Sequence, residues 1–250
     1  AVVAGARPPA GNDDRWEVRR RGDGFRVRAR DDAKGASFDL ALAPRRPHVF
    51  QGPNGYSAKS ADGSAASLYY SFTRLATDGT VTFDGRTFEV AGESWMDREW
   101  SSSQLGEVQV GWDWFALRLD DGRDLMLYVL RRADGSLDHA RGTLVGADGA
   151  VAWIGPEAWT IDPTSTWTSA ATGATYPSRW RVAVPSAELD VEVRPLVEAQ
   201  ENVSAILRRL HYWEGAVEVV RDGTRIGEGY VELTGYGDDA RLPLRPTDEP

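Results

Sequence analysis

The chain has 250 residues, a net charge of −9 and a pI of about 4.9, with 41% hydrophobic residues and a mean hydropathy of −0.43. The acid excess argues against a nucleic-acid backbone as partner, which wants clustered Lys and Arg. The absence of cysteine excludes disulfides, thiolate catalysis and iron–sulfur ligation and leaves the redox compartment open. No apolar run approaches the roughly 20 residues of a spanning helix, and the opening Ala1-Val2-Val3-Ala4-Gly5-Ala6 is too short and lacks the basic residues of a signal peptide.

Asp-Gly, the strongest short-range hairpin signal, begins at Asp23, Asp62, Asp78, Asp84, Asp121, Asp134, Asp148 and Asp222. Between these turns the alternating Val-, Tyr-, Trp-, Phe- and Thr-rich segments read as strands in chain order. They are Arg15–Arg20, Phe25–Arg30, Ser37–Ala43, Leu68–Arg74, Thr80–Val90, Val108–Leu119, Asp124–Arg132, Trp180–Val184, Leu189–Val193 and Gly229–Leu233. Pro44–Gly63 and Pro156–Pro177, punctuated by Pro, Gly, Asn, Ser and Thr, read as long loops. Glu198–Leu210 is the only helical candidate, and it runs directly into β-like residues. The pattern predicts an antiparallel, nearly all-β chain, as two barrels or one large sandwich, with a join near Gln104–Gln109.

Ser94-Trp95-Met96-Asp97-Arg98-Glu99-Trp100 and Gly111-Trp112-Asp113-Trp114-Phe115 hold four of the ten tryptophans. Strand alternation puts Trp95, Asp97 and Glu99 on one face and Met96, Arg98 and Trp100 on the other. A carboxyl against aromatic walls is costly unless paired, and such environments tune pKa values. Surface ion pairs over a Trp-rich core explain the same pattern about equally well. Tyr69-Tyr70 with Arg74 forms a second aromatic–basic strand. The C-terminal part repeats the theme in His211-Tyr212-Trp213-Glu214-Gly215 and in Tyr230, Glu232 and Thr234, which share a face. Other chemistries lack their signatures: there is no His-Glu-x-x-His, and His48, His139 and His211 have no ligand spacing. Gly92-Glu93-Ser94-Trp95-Met96 lacks the closing glycine of a nucleophile elbow.

Ser94–Trp114 and the ending Tyr212-Trp213-Glu214-Gly215 … Gly229-Tyr230-Val231-Glu232-Leu233-Thr234-Gly235-Tyr236 resemble the carotenoid 1,2-hydratase (hydroxyneurosporene synthase) and AttH-like family, whose members are often labelled predicted secreted hydrolases. Gly52-Pro53-Asn54-Gly55-Tyr56-Ser57, Ser67–Leu75 and Tyr176-Pro177-Ser178-Arg179-Trp180 match as well. The resemblance runs from about Ala41 to Tyr236. It implies two lipocalin-like antiparallel β-barrels packed side by side: residues 1–106 as the remainder of an N-terminal barrel and 107–250 as the C-terminal one. The family's opening Glu-Trp-Trp-Tyr strand is absent. The first barrel is thus either open or completed by a separate N-terminal fragment, and unpaired edges favour the fragment.

The resemblance further implies a cofactor-free hydro-lyase, or a related cyclase or isomerase, acting on a double bond of an apolar isoprenoid- or polyene-like substrate. Carried over by position, Asp97 is the proton donor, buried among Trp95, Trp112 or Trp114 and raised in pKa by desolvation. Tyr70 or Glu99 positions water, and Trp95, Tyr69, Arg74, Trp112, Trp114, Trp213 and Tyr230 line the cavity. The family's His beside this Asp is replaced here by Met96 and Arg98, which sets the carotenoid substrate itself apart. A lipocalin-like lipid or pigment carrier uses the same cavity without catalysis. The expected location is exported rather than cytoplasmic: periplasmic, secreted or membrane-peripheral.

Overall fold

Hairpin turns set the architecture. In the computed structural model, which describes residues 3–4, 16–101, 105–203 and 211–237, Asp84-Gly85 and Asp222-Gly223 have φ values of 49 and 70° and of 50 and 77°. These are left-handed pairs whose twist matches the flanking strands. At Asp62, Asp121, Asp134 and Asp148 the carboxylate accepts the backbone N–H two residues ahead, at 2.9–3.0 Å, closing the turn from its own side chain.

The strands in chain order are β1 (Val3–Ala4), β2 (Trp16–Arg21), β3 (Gly24–Asp31), β4 (Ala36–Pro44), β5 (Val49–Phe50), β6 (Tyr56–Ala58), β7 (Ala66–Phe83) and β8 (Arg86–Trp100). Then come β9 (Gln109–Leu119), β10 (Asp124–Arg132), β11 (Leu137–Val145), β12 (Val151–Ile154), β13 (Thr160–Thr168), β14 (Thr175–Val184), β15 (Leu189–Pro195), β16 (Glu201–Val203), β17 (His211–Arg221) and β18 (Thr224–Thr234). No α-helix occurs among the described residues. Part of the helical candidate at 198–210 is strand instead, because Glu201–Val203 pairs with Trp213–His211; residues 204–210 lie outside the described residues.

Asp78-Gly79 is not a hairpin, and Thr80–Val90 is not one strand. β7 runs straight through Asp78-Gly79, and the chain reverses at Asp84-Gly85. The cause is the neighbouring strand. Gly79 pairs with Leu40 of β4, and a Cβ at position 79 would run into the carbonyl of Asp39, so the glycine serves a close approach within the sheet. Likewise Pro156–Pro177 is not a loop throughout, since Thr160–Thr168 pairs with β14 around register shifts near Pro163 and Ser165.

The chain divides into two compact units, one of residues 1–49 and 70–98 and the other of 50–69 and 99–250. Segments 50–69 and 99–106 thus group with the second unit, whereas the boundary drawn from the sequence is at 106. In the first unit β1, β2, β3, β4 and β7 lie in that order, all antiparallel, and β8 pairs with β7. In the second, a longer antiparallel sheet runs β12-β11-β10-β9-β18-β17-β15-β14-β13, with β16 on β17. Its inner face is continuous: Phe115, Leu127, Trp180, Val193, Trp213 and Val231 are almost fully buried in one cluster. Each such side chain contributes roughly 1.5–3 kcal/mol on burial. The all-β architecture is consistent with two lipocalin-like barrels.

Candidate functional site

In the first unit, β7 and β8 bring hydrogen-bond donors to the carboxyl of Asp97. Ser71 Oγ donates to Asp97 Oδ1 at 2.5 Å, and Trp95 Nε1 donates to the same oxygen at 2.7 Å. Trp95 and Asp97 share a face of β8, as period-two alternation requires. Ser71 belongs to the buried face of β7, along with Thr73 and Leu75. Asp97 and Trp95 are half-buried and Arg98 is exposed, so Asp97 is not enclosed to the depth expected from the sequence. Arg74 is held by Glu93 at 3.1 Å, and Glu93 also takes Arg45. The Tyr70 ring lies against His48 and Phe72, with centroids 5.4 and 6.0 Å away.

In the second unit, Glu99 lies in a different setting. Its Oε1 accepts from Lys59 Nζ at 2.7 Å and from Ser67 Oγ at 2.5 Å. The Lys59 ammonium sits 4.3 Å from the Tyr128 ring centroid and 5.1 Å from that of Tyr69. Trp114 Nε1 donates to the Tyr69 hydroxyl at 3.2 Å, and the Tyr128 hydroxyl donates to the carbonyl of Ala58 at 2.8 Å. Burial pushes the Tyr128 phenol up to about 12. His139 packs near Tyr128, and burial, helped by Arg141, holds its imidazole below the ordinary value. Among the described residues no cluster of three or more His, Cys, Asp or Glu side chains is placed to hold a metal ion.

A third carboxyl in a distinct setting is Asp113. It is buried on the inner face of β9, and burial raises its pKa against the pull of Arg131 and Tyr236. Arg131 Nε donates to its Oδ1 at 2.9 Å, and the Tyr236 hydroxyl reaches both carboxylate oxygens at 2.9 and 3.0 Å. Trp213 shares that inner face; its register partner Leu233 pairs in turn with Asp113. Its indole N–H donates to the carbonyl of Glu198 at 2.6 Å. Trp112, Trp114 and Tyr230 face the other way, Tyr230 being 40% exposed. One cavity wall made of Trp213 with Trp112, Trp114 and Tyr230 would need both faces of one sheet.

The structure therefore brings Asp97 to Trp95, and Glu99 and Tyr69 to a shared lysine. Sequence reasoning missed Ser71, Lys59, Tyr128 and the Arg131–Tyr236 pair on Asp113. Ser71, Asp113 and Tyr236 lay inside motifs already singled out. Lys59 carried a quieter signal, being one of only two lysines in the chain.

A sequence profile of the family described as AttH-like matches residues 4–236. The solved structure of a protein assigned to AttH from Nitrosomonas europaea is similar, with a TM-score of 0.82 and 38% identity over 90% of this chain and 69% of that one. Kievitone hydratase from Nectria haematococca shares the fold, with a TM-score of 0.71 and 18% identity over 91% of this chain and 70% of that one. None of the curated proteins matches the sequence. The chain belongs to the AttH-like family.

Proposed function

We propose that the protein is a hydro-lyase that adds water to a double bond of an apolar, isoprenoid- or polyene-like molecule, with Asp97 as the acid. Membership of the AttH-like family and a fold shared with a hydratase support the reaction class. The observation that carries the reading is the pair of donors on Asp97 Oδ1. In the neutral acid Oδ1 is the carbonyl oxygen and the proton rides on Oδ2. As that proton moves to an alkene carbon, negative charge develops on the carboxyl, and the bonds from Ser71 and Trp95 strengthen. Interactions that grow towards the transition state are the ones that accelerate a reaction.

The alkene that takes the proton becomes a tertiary carbocation. The Trp95 ring attracts that cation by about 0.5–2 kcal/mol. Water adds to the cation, and the resulting oxonium returns its extra proton to the Asp97 carboxylate, giving a tertiary alcohol and the original acid. Neither Tyr70 nor Glu99 is needed in this cycle.

The test is incubation with acyclic terpenoids and unsaturated lipids in heavy-oxygen water, with wild type beside Asp97→Asn. Labelled alcohol from wild type and none from the variant is the expected result. Ligand recovered unlabelled from both proteins would overturn the reading in favour of a carrier.

A further inference from the structure

The sheet of the second unit parts at one end of β15. That strand pairs with β14 from Leu189 to Val193, but with β17 only from Glu192 to Pro195. Two turns flank the parting. The chain enters β15 from Glu188, held in the left-handed conformation at φ 50°. β17 ends in the tight Asp222-Gly223 hairpin, where Arg221 pairs with Thr224 of β18. Between them lies a solvent-open hollow of about 660 Å³, with the buried Val191 and Val220 in its wall. Small-molecule sites occupy roughly 300–1,000 Å³, so there is room for a ligand.

The charges around this hollow fall into two groups. Arg181 and Asp190 satisfy each other bidentately at 2.8 and 2.5 Å, and Glu192 accepts from Arg194 at 2.7 Å. Among the described residues, the side chains of Arg221, Glu188 and Asp222 have no such ion pair. Arg221 Nη2 donates to the backbone carbonyl of Glu188 at 3.0 Å. That bond uses one of five guanidinium donors and fixes the cation beside residue 188. Glu188 and Asp222 are not placed with a third ligand to share a metal ion.

We propose that this hollow binds a free basic α-amino acid. One unpaired cation and two unpaired carboxylates complement a ligand with one carboxylate and two cationic groups. Arg221 takes the α-carboxylate, its planar fork matching a planar anion. Glu188, at whose carbonyl that guanidinium is anchored, takes the adjacent α-ammonium. Asp222, from the hairpin, takes the side-chain cation. A simple anion would meet the two carboxylates and a simple diamine would meet Arg221, and like charges at close range repel. The site uses no residue of the hydration assigned to Asp97, and either assignment can fail without the other.

The test is calorimetric titration of the whole protein with three ligands. They are L-lysine, norleucine, which lacks the side-chain ammonium, and lysinamide, which lacks the carboxylate. Lysine is expected to bind saturably, with norleucine and lysinamide each weaker by about fivefold, as for partly exposed ion pairs. In Asp222→Asn, lysine and norleucine should bind alike. Asparagine suits φ 50° in a turn of this type, so that variant keeps the hairpin. In Arg221→Gln, lysine and lysinamide should bind alike. Absence of saturable lysine binding, or norleucine or lysinamide equalling lysine on the wild type, would overturn the proposal. So would a lysine–norleucine difference that survives Asp222→Asn, or a lysine–lysinamide difference that survives Arg221→Gln. If Arg221→Gln fails to fold, the lysinamide comparison on the wild type decides the role of Arg221.

Discussion

Asp113 and Arg131 meet at 2.9 Å on neighbouring strands β9 and β10, both with side chains 12% exposed, beneath a Tyr236 ring centred 3.9 Å from the guanidinium. Removing the carboxyl leaves an uncompensated buried cation. Asp113→Ala is therefore expected to lower stability by about 3–5 kcal/mol, read by chemical denaturation.

The same carboxyl gives a pH dependence. Burial raises the folded-state pKa of Asp113 above its unfolded value. Its contribution to stability is then fully present below the ordinary Asp range and is lost as pH rises through the raised value. Denaturation of wild type and Asp113→Asn across acidic to neutral pH checks this. The difference between them should favour wild type more at acidic pH than at neutral pH.

Five of the eight tyrosines, Tyr128, Tyr176, Tyr212, Tyr230 and Tyr236, are held above the ordinary phenol value, chiefly by burial. Raised folded-state values mean that their stabilising contribution is complete below about pH 10 and is lost as pH climbs through the folded values, about 12 for Tyr128. In an alkaline titration of phenolate absorbance these five should ionise together with loss of the β-sheet circular-dichroism signal.

Gly79→Ala should be more damaging than Gly135→Ala. Both glycines have positive φ, 146 and 82°, but a Cβ at 79 meets the Asp39 carbonyl while one at 135 meets nothing within 4 Å. The expected cost is well above about 1 kcal/mol at 79 and about 1 kcal/mol at 135. Paired thermal melts would settle the order.

Ser71→Ala removes a hydrogen-bond donor from Asp97 Oδ1 without touching the carboxyl itself. As a positioning residue Ser71 should act on kcat, lowering it by roughly tenfold or more with KM changed little. Steady-state kinetics on a substrate identified by label incorporation would read the split. Equal kcat with raised KM would place Ser71 in binding instead.

The β character of this chain was legible because hairpin chemistry and period-two alternation are local. Asp84-Gly85 and Asp222-Gly223 fold the chain back with their own backbone angles, and Trp95 finds Asp97 two residues away on the same strand face. Tertiary structure decided what local pattern cannot carry. Asp78-Gly79 has the same dipeptide as the true turns, yet the approach of Asp39 from β4 keeps it extended. Lys59 sits in a stretch that reads as loop, and only the return of Gln109, Tyr128 and Glu99 from later in the chain buries it. Asp113 and Asp97 look alike in the sequence. Their settings differ because Arg131 and Tyr236 reach Asp113 from 18 and 123 residues away, whereas Trp95 and Ser71 meet Asp97 on a half-buried face. Alternation fixes which way a side chain points from its strand. What it meets there depends on the register of strands distant in sequence, and that is set only when the sheets assemble.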